Sequence, residues 1–404
     1  MDLTIRPIGA GDLPGFLRAD EYGFGYRHDY EPHMEWAGAE LDRTVAAFDG
    51  DQIVGTGRNY SLELTLPGGA IIPASGVSWI SVRPTHRRQG ILRSMMEYLL
   101  DESARREDPV SMLTASEGGI YGRFGFGVAT RVLGLRLARS GAVFTTPVTA
   151  GRVRLVEPEE SAKVAPELFE RVRAARTGAV SRPSFWWPGE WVPKEHAKNR
   201  FDVIYELDGR VDGYAVYNVE GTWGEGFSEK TVAVHDLIAA TPEAEAALWQ
   251  YLCGIDLVTW ISHWNVAPDT ELPWRLADSR QVRTRSFRDW LWLRPVDTPA
   301  FLATRRYPID GRLVLEVEDE MRPDGAAAGR FVLAGGPDAA SCHPTDAAPE
   351  LRLGVAALGA ISLGGVTASS LARAGHIEEL VPGALARADR MFAADRAPFS
   401  LTWF

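Results

Sequence analysis

The sequence predicts an α/β (α+β) protein built from two similar α/β units and a third unit of different composition. An apolar, β-branched run at Val77–Val82 passes through a basic turn into an amphipathic stretch at Ile91–Leu100, which is typical of strand, turn and helix. Two hairpin patterns with Asp-Gly turns, at 44–57 and 203–217, indicate a repeated plan. From about Val296, Ala, Gly and Pro increase and Trp nearly vanishes. A chain of 404 residues is long enough for two or three domains.

These observations predict domains at 1–150, 151–295 and 296–404. In the first domain, we expect Asp12 to be an N-cap and the residues at 118–127 to form a glycine-rich turn. The predicted elements are a strand at Thr4–Pro7, a helix through Arg18, strands at Thr44–Phe48, Gln52–Gly57, Leu62–Leu66 and Val77–Val82, a helix at Ile91–Ser103 and a strand at Met112–Ala115.

The second predicted domain follows the same order of elements. Strands at Val203–Glu206 and Val211–Tyr217 form a hairpin, and Val232–Leu237 leads to a helix at Glu243–Gly254 capped by Thr241. This helix begins where the first copy has its basic turn, but it lacks arginine and glycine there. A degenerate copy that has lost its ligand is the simplest interpretation, and two unrelated α/β units are the alternative.

The third predicted domain contains short strands followed by helices, and the chain ends on apolar and aromatic side chains. Such an end is expected to be packed into the structure, because otherwise it would form an exposed patch. The predicted strands are Arg312–Glu318, Arg330–Leu333 and Leu351–Leu353, and the predicted helices are Val355–Leu358, Gly364–Ala374 and Leu380–Ala394.

Composition excludes several classes of function. The net charge of −11 argues against nucleic acid as a partner and favours cationic small molecules if the negative potential is focused in a cleft. Cys253 and Cys342 are far apart and predict buried free thiols, and no histidine spacing suggests a metal site. No apolar run is long enough for a membrane span, and the N-terminus lacks a signal-peptide core, so we expect a cytoplasmic location.

The basic turn between Val82 and Ile91 predicts a site for a diphosphate. The first N–H groups of a helix and the positive end of its dipole bind phosphate, and Arg87 and Arg88 lie beside them. Gly90 allows the backbone to approach the ligand where a Cβ would obstruct it. The alternative interpretation is a solvated basic turn.

A second motif, Ser116-Glu117-Gly118-Gly119-Ile120-Tyr121-Gly122-Arg123, follows the strand at Met112–Ala115. A tyrosine with a pKa of about 10 is protonated at neutral pH. Its phenol could therefore serve as a general acid, for example by protonating the thiolate that leaves when a thioester is cleaved. A core tyrosine that fixes the turn would give the same pattern.

These motifs resemble those of the Eis (enhanced intracellular survival) family of GNAT N-acetyltransferases. The similarity is carried by three separate segments that occur in the family's order and span the chain, which ends in phenylalanine as family members do. The segments are Thr85-His86-Arg87-Arg88-Gln89-Gly90-Ile91-Leu92-Arg93, Ser116–Gly125 and Cys342-His343-Pro344-Thr345-Asp346-Ala347.

The resemblance implies an N-terminal GNAT domain, a central GNAT-like domain without cofactor, and a C-terminal domain like sterol carrier proteins. It implies that Tyr121 is the general acid and that the α-carboxylate of Phe404 is the general base. It also implies a homo-hexamer. Acetyl-CoA would be the co-substrate, and the residues that match its binding positions are Ile80, Val82, Arg87, Arg88, Gly90, Ile91, Leu92 and Ser116.

For the acceptor pocket, the resemblance implies aromatic side chains at Phe24, Trp36 and Trp79, which suit cationic amines. Two positions depart from the better-known members: Trp403 replaces an acidic residue, and Gly25 or Tyr26 replaces another. Leu92 replaces the Gly or Ala that is usual in GNAT enzymes.

The function predicted from the sequence is therefore acetyl-CoA-dependent acetylation of a primary amine by direct transfer. An aminoglycoside, a polyamine or a lysine-like molecule would be the acceptor. The alternatives are a non-enzymatic CoA- or lipid-binding protein that uses the sterol-carrier-like domain, and a catalytically idle CoA sensor.

Overall fold

The computed structural model describes residues 3–27, 40–183, 186–187, 199–226 and 228–404. The chain divides into two compact units. The first contains Met1–Thr130, Trp290–Asp395 and Trp403–Phe404, and the second contains Arg131–Asp289 and Arg396–Thr402. Three sheets with helices packed against them confirm the predicted mixed α/β class.

The first unit contains a seven-stranded sheet in the order β1-β2-β3-β4-β5-β14-β6. All neighbours pair antiparallel except β4 and β5, which are parallel. Its strands are β1 (Leu3–Pro7), β2 (Thr44–Asp49), β3 (Gln52–Thr65), β4 (Ile71–Val82), β5 (Val110–Thr114), β6 (Gly127–Val128) and β14 (Leu291–Pro295).

Two amphipathic helices, α1 (Leu13–Phe24) and α2 (Ile91–Arg105), pack against this sheet. Met95, Met96 and Leu99 are fully buried, and their spacing of three and four residues places them on one side of α2. α1 approaches β4 closely, since a Cβ at Gly23 would lie 2.5 Å from Cβ of Ser81.

The first unit also contains a five-stranded sheet in the order β17-β16-β15-β18-β19. It is built from the C-terminal part of the chain, and its core includes Leu315, Leu333 and Leu358. The elements are α6 (Thr298–Thr304), β15 (Gly311–Glu318), β16 (Gly329–Gly335), β17 (Ala340–Pro344), β18 (Leu351–Gly354), α7 (Val355–Ile361), α8 (Ala368–Arg373), β19 (Ile377–Glu379) and α9 (Ala384–Phe392).

The second unit contains a seven-stranded sheet in the order β13-β7-β12-β11-β10-β9-β8. The Thr241 hydroxyl accepts from the Ala244 N–H at 3.1 Å and caps α4, as the sequence predicts. The elements are β7 (Arg131–Ala138), β8 (Arg152–Val156), α3 (Pro158–Ala175), β9 (Arg200–Leu207), β10 (Arg210–Glu220), β11 (Thr231–Ala239), α4 (Pro242–Gly254), β12 (Trp260–Val266), α5 (Leu272–Arg275) and β13 (Val282–Asp289).

The structure corrects several predicted elements. Apart from Leu66, the predicted strands Gln52–Gly57 and Leu62–Leu66 belong to the single strand β3, because its residues pair continuously with β2 and β4 apart from register shifts. The helix predicted at Leu380–Ala394 is the shorter α9. The domain division at 1–150, 151–295 and 296–404 stays a prediction, yet β7 pairs in the second sheet and β14 pairs in the first.

Both cysteines are buried and free. Within the ranges that the structure describes, no helix has the length and apolarity needed to cross a membrane.

Candidate active site

The candidate site lies where β4 and β5 part in the first unit. The two strands pair only at Ser75 with Ser111 and at Gly76 with Met112. β4 then continues to Val82, and β5 ends at Thr114. Strands that are paired at one end and unpaired at the other leave backbone groups available to a ligand.

A β-bulge changes the direction of β4 just beyond the residues that pair with β5. Thr56 pairs with Ser81 and Arg58 pairs with Ser78, so that Trp79 and Ile80 lie opposite Gly57 alone. Trp79 has a φ of 56°, in the left-handed region, and its carbonyl accepts from the Thr56 hydroxyl at 2.8 Å. Such a bulge changes the direction of neighbouring backbone and side-chain groups, here at the predicted donor position Ile80.

The start of α2 provides an anion-binding geometry. Gly90 (φ 84°) and Arg88 (φ 63°) are both in the left-handed region, and the first helical bond runs from the Ser94 N–H to the Gly90 carbonyl at 3.1 Å. The N–H groups of residues 91–93 therefore have no partner within the helix. Arg87, Arg88 and Gly90 are exposed, so the turn is accessible to a diphosphate.

Three residues of the predicted donor site have different surroundings. The Arg87 guanidinium donates to the Gly23 carbonyl of α1 at 3.0 Å, which ties the turn to the helix that packs on β4. Ile91 is buried in the core, whereas Leu92 is half-buried. Leu92 packs with its side chain against the cluster that contains Tyr121, which gives the departure from Gly or Ala a structural role.

Tyr121 begins a 3-10 turn (Tyr121–Phe124) after β5 and is 5% exposed. Burial raises the pKa of its phenol, a hydrogen bond with Ser116 opposes this shift, and the charge of Glu117 reinforces it. The phenol is therefore protonated at neutral pH. This state is the one that a general acid requires.

The chain end lies beside the point where β4 and β5 separate. The Thr114 hydroxyl donates to one oxygen of the Phe404 α-carboxylate at 2.9 Å. The Phe404 ring meets the Tyr60 ring edge-to-face with centroids 6.5 Å apart. A Cβ at Gly76 would lie 3.0 Å from that ring, so glycine leaves room for the aromatic side chain.

The predicted acceptor residues are described in part. Phe24, at the end of α1, is 47% exposed. The Trp79 indole N–H donates to the Tyr60 hydroxyl at 3.0 Å, which joins Trp79 to the surroundings of Phe404. Trp36 lies outside the described residues.

Sequence reasoning missed Thr114 and Tyr60, because their contacts with Phe404 connect residues that are remote in the chain. It also missed the state of Asp20, which is 1% exposed. Burial raises the pKa of Asp20 to about 7, and hydrogen bonds with Tyr26 and Thr56 oppose this shift. The sequence shows an acidic residue near Tyr26, but it does not indicate that this residue is buried.

The corresponding region of the second unit has different chemistry. β11 and β12 pair in parallel only from Thr231 to Val234 on β11, and a cavity of about 210 Å³ lies beyond. Phe399 and Leu401, from the C-terminal segment, line that cavity. Because the Thr241 hydroxyl already accepts one N–H of α4, and acidic Glu243 lies in its first turn, this helix start is unsuited to a diphosphate.

Protein-family models match all three parts of the chain. Two acetyltransferase (GNAT) domains match residues 4–129 and 178–295, and a sterol carrier protein domain matches residues 298–400. The GNAT fold uses acetyl-CoA as acyl donor. Among the described residues, no group of three or more His, Cys, Asp or Glu is placed to hold a metal ion.

Known relatives agree with these matches. An uncharacterized N-acetyltransferase of Streptomyces griseus is 38% identical over 99% of both chains. The N-acetyltransferase Eis of Mycobacterium tuberculosis is 37% identical over 86% of this chain and 84% of its own. The crystal structure of Eis1 from Mycobacterium abscessus has a TM-score of 0.88 at 32% identity and covers 99% of this chain and 100% of that one.

The fold and the matches define a GNAT N-acetyltransferase with two GNAT domains and a sterol carrier protein domain. The chain belongs to the Eis family of these enzymes.

Proposed function

We propose that this N-acetyltransferase transfers acetyl from acetyl-CoA to a primary amine of a cationic small molecule, by direct transfer at the β4–β5 site. The observation that carries the proposal is the contact of Phe404 with Thr114, beside the point where β4 and β5 separate. The contact brings the last residue of the chain to the region where the donor strand is exposed.

In this proposal, the donor site is formed by the bulged strand and the helix start. The residues are Ile80, Val82, Arg87, Arg88, Gly90, Ile91, Leu92 and Ser116. Support comes from the N–H groups of residues 91–93, which have no partner within α2, and from the exposed arginines beside them. A backbone N–H near the bulge would polarise the thioester carbonyl.

The proton transfers are assigned to Phe404 and Tyr121. The Phe404 carboxylate accepts a proton from the acceptor ammonium, directly or through water, and the free amine then attacks the acetyl carbonyl. As the C–S bond breaks, Tyr121 gives its proton to the departing thiolate, and the second proton of the attacking nitrogen replaces it on Tyr121 through water. Support for Tyr121 comes from its burial, which keeps the phenol protonated.

The proposed acceptor is an aminoglycoside, a polyamine or a lysine-like amine. Phe24 and Trp79 supply aromatic faces that attract cations, and the net charge of −11 favours a cationic ligand. Trp36 remains in the proposal as a third aromatic residue. A panel of these three amine classes, measured by release of free CoA, identifies the acceptor.

The catalytic assignment predicts that Tyr121→Phe and deletion of Phe404 each lower kcat by about 100-fold, the lower end of what general acid–base groups contribute. The Kd for acetyl-CoA should change little, because the donor contacts remain. Tyr98→Phe, a half-buried tyrosine on α2, is the matched control and should keep its turnover. Unchanged turnover in both test variants would contradict the assignment.

The homo-hexamer and the cytoplasmic location stay predictions from the sequence. The alternative of a non-enzymatic carrier does not agree with relatives that are N-acetyltransferases over nearly the whole chain.

A further inference from the structure

A fully buried arginine joins the Tyr121 turn to the five-stranded sheet. Arg294 on β14 donates from Nε to the Phe124 carbonyl at 2.8 Å and from a terminal nitrogen to Asp319 at 2.6 Å. Its remaining bond goes to the Pro295 carbonyl at 2.9 Å. Phe124 is the last residue of the turn that Tyr121 begins.

Asp319 belongs to a corner at the end of β15, which we call the β15 corner (residues 319–322). The second carboxylate oxygen of Asp319 accepts from the N–H groups of Met321 and Arg322 at 3.1 and 3.2 Å. The carboxylate therefore fixes the corner's backbone as well as the Arg294 side chain.

The same corner contacts the helix that begins at the diphosphate turn. Arg322 donates to the Leu100 carbonyl at 2.9 Å and forms an ion pair with Asp101 at 2.8 Å, both on α2. Met321 packs against the apolar cluster that contains Tyr121 and Phe124. The β15 corner thus contacts both α2, through Arg322, and the Arg294 side chain that supports the Tyr121 turn, through Asp319.

Close backbone approach leaves the turn little room to move. A Cβ at Gly125 would lie 2.7 Å from Cγ1 of Val355 and 3.0 Å from Nε of Arg294. A Cβ at Gly127 would lie 1.8 Å from the Ala356 carbonyl oxygen on α7. The backbone after Tyr121 is therefore pressed against the C-terminal domain.

We propose that the sterol-carrier-like domain positions the general acid, and that Arg294 and Asp319 are positioning residues for Tyr121. The inference rests on the proposed role of Tyr121 in acetyl transfer. A general acid acts only when its proton lies within hydrogen-bonding reach of the leaving atom, so a displaced turn lowers turnover without removing any reacting group.

The test replaces the whole ion pair by apolar side chains, Arg294→Met together with Asp319→Leu, because removing one partner would strand a buried charge. We expect kcat to fall about tenfold, while the KM for acetyl-CoA changes by less than about twofold. In a Tyr121→Phe background, the same pair should change kcat by less than about twofold, because the group it positions is already absent.

Arg305→Met is the matched control. Arg305 is also buried and bonds backbone carbonyls, including that of Ser362, but none of its bonds reaches the Tyr121 turn. Any effect of this control on kcat should be the same with and without Tyr121. Thermal unfolding of each variant shows whether it is folded at the assay temperature.

The outcomes separate the two proposals. If Tyr121→Phe alone leaves kcat unchanged, Tyr121 is not the general acid of the proposed function. If Tyr121→Phe lowers kcat but the Arg294 and Asp319 changes act equally in both backgrounds, the positioning inference is wrong. Should the double replacement fail to fold, Arg294→Lys keeps the buried charge beside Asp319 but loses the guanidinium bond to the Phe124 carbonyl, and it should lower kcat about threefold only when Tyr121 is present.

Discussion

At the scale of single residues, burial determines the chemistry of two titratable groups near the candidate site. The Tyr121 phenol and the Asp20 carboxyl both have raised pKa values because the protein shields them from water. For Tyr121, the shift preserves a proton that is already present at neutral pH. For Asp20, it moves ionisation to about pH 7, where the charge can change under ordinary conditions.

The raised pKa of Asp20 predicts that the free energy of unfolding decreases as the pH rises. Its pKa is about 7 in the folded protein and about 4 in the unfolded chain, so the folded state holds the proton more tightly. The contribution is fully present below pH 4 and is lost as the pH rises through 7. Relative to wild type, Asp20→Asn should therefore gain up to about 4 kcal/mol in the free energy of unfolding between pH 4 and pH 8.

Urea unfolding at a series of pH values measures this difference. Asp12→Asn is a control of opposite sign, because the hydrogen bond from Arg6 lowers the pKa of Asp12 and its contribution is lost as the pH falls. Parallel pH curves for wild type and Asp20→Asn would show that Asp20 does not titrate as expected.

The sequence indicates residue chemistry well where the motif is local. Gly90 lies at the start of the helix that its place before an amphipathic run predicts. The positive φ of Trp79 has no such signal, since a bulge depends on how β4 pairs with β3. Tyr60 and Thr114 are likewise ordinary strand residues until Phe404 contacts them.

At the scale of elements, the turn and helix at Gly90–Arg105 form the unit that the sequence predicts best. The helix is predicted at 91–103 and observed at Ile91–Arg105, because its apolar residues repeat at helical spacing. Strand lengths are predicted less well. β3 extends over 14 residues, and its middle does not alternate between apolar and polar residues, because both faces are buried there.

The helix start predicts that Gly90→Ala raises the Kd for acetyl-CoA at least about tenfold. Alanine at a φ of 84° is strained by about 1–2 kcal/mol, and relieving the strain would rotate the N–H groups that bind the diphosphate. Calorimetric titration with acetyl-CoA measures the change.

Gly209→Ala is the matched control for this prediction. Gly209 has a φ of 79°, and, as at Gly90, no atom lies within 4 Å of an added Cβ. The variant carries the same backbone strain in the β9–β10 turn, so its affinity for acetyl-CoA should equal that of wild type. Equal Kd values for the two variants would contradict a role for Gly90 in donor binding.

At the scale of the whole molecule, the sheets are assembled from distant parts of the chain. The repeated plan and the composition change were sufficient to predict two similar units and a third one. They could not reveal that β14 lies between β5 and β6, because its apolar residues would suit a buried strand in either sheet.

This assembly predicts that the first unit folds without the second one. The Trp290 N–H donates to the Thr130 carbonyl at 3.0 Å, so a short glycine linker can replace Arg131–Asp289. We expect the shortened protein to unfold cooperatively and to bind acetyl-CoA. Its turnover should fall, because Arg396–Thr402 loses its packing partners.

Circular dichroism during heating and acetyl-CoA titration test this expectation. A fragment of residues 1–150 is the comparison, because it lacks β14 and leaves β5 and β6 without their shared neighbour. The expectation would be contradicted if the fragment unfolded cooperatively and the shortened protein did not, because the sheet would then form without β14.

The insertion of β14 also sets an order of events during synthesis. β6 ends at Val128, and its partner β14 begins only at Leu291. At ribosomal rates of about 5–20 residues per second, roughly 10–30 s pass between the synthesis of β6 and the synthesis of β14. During that time β5 has an unpaired edge that can bond to another nascent chain. Protection of this edge by a chaperone would therefore affect the yield of folded enzyme more than its final stability.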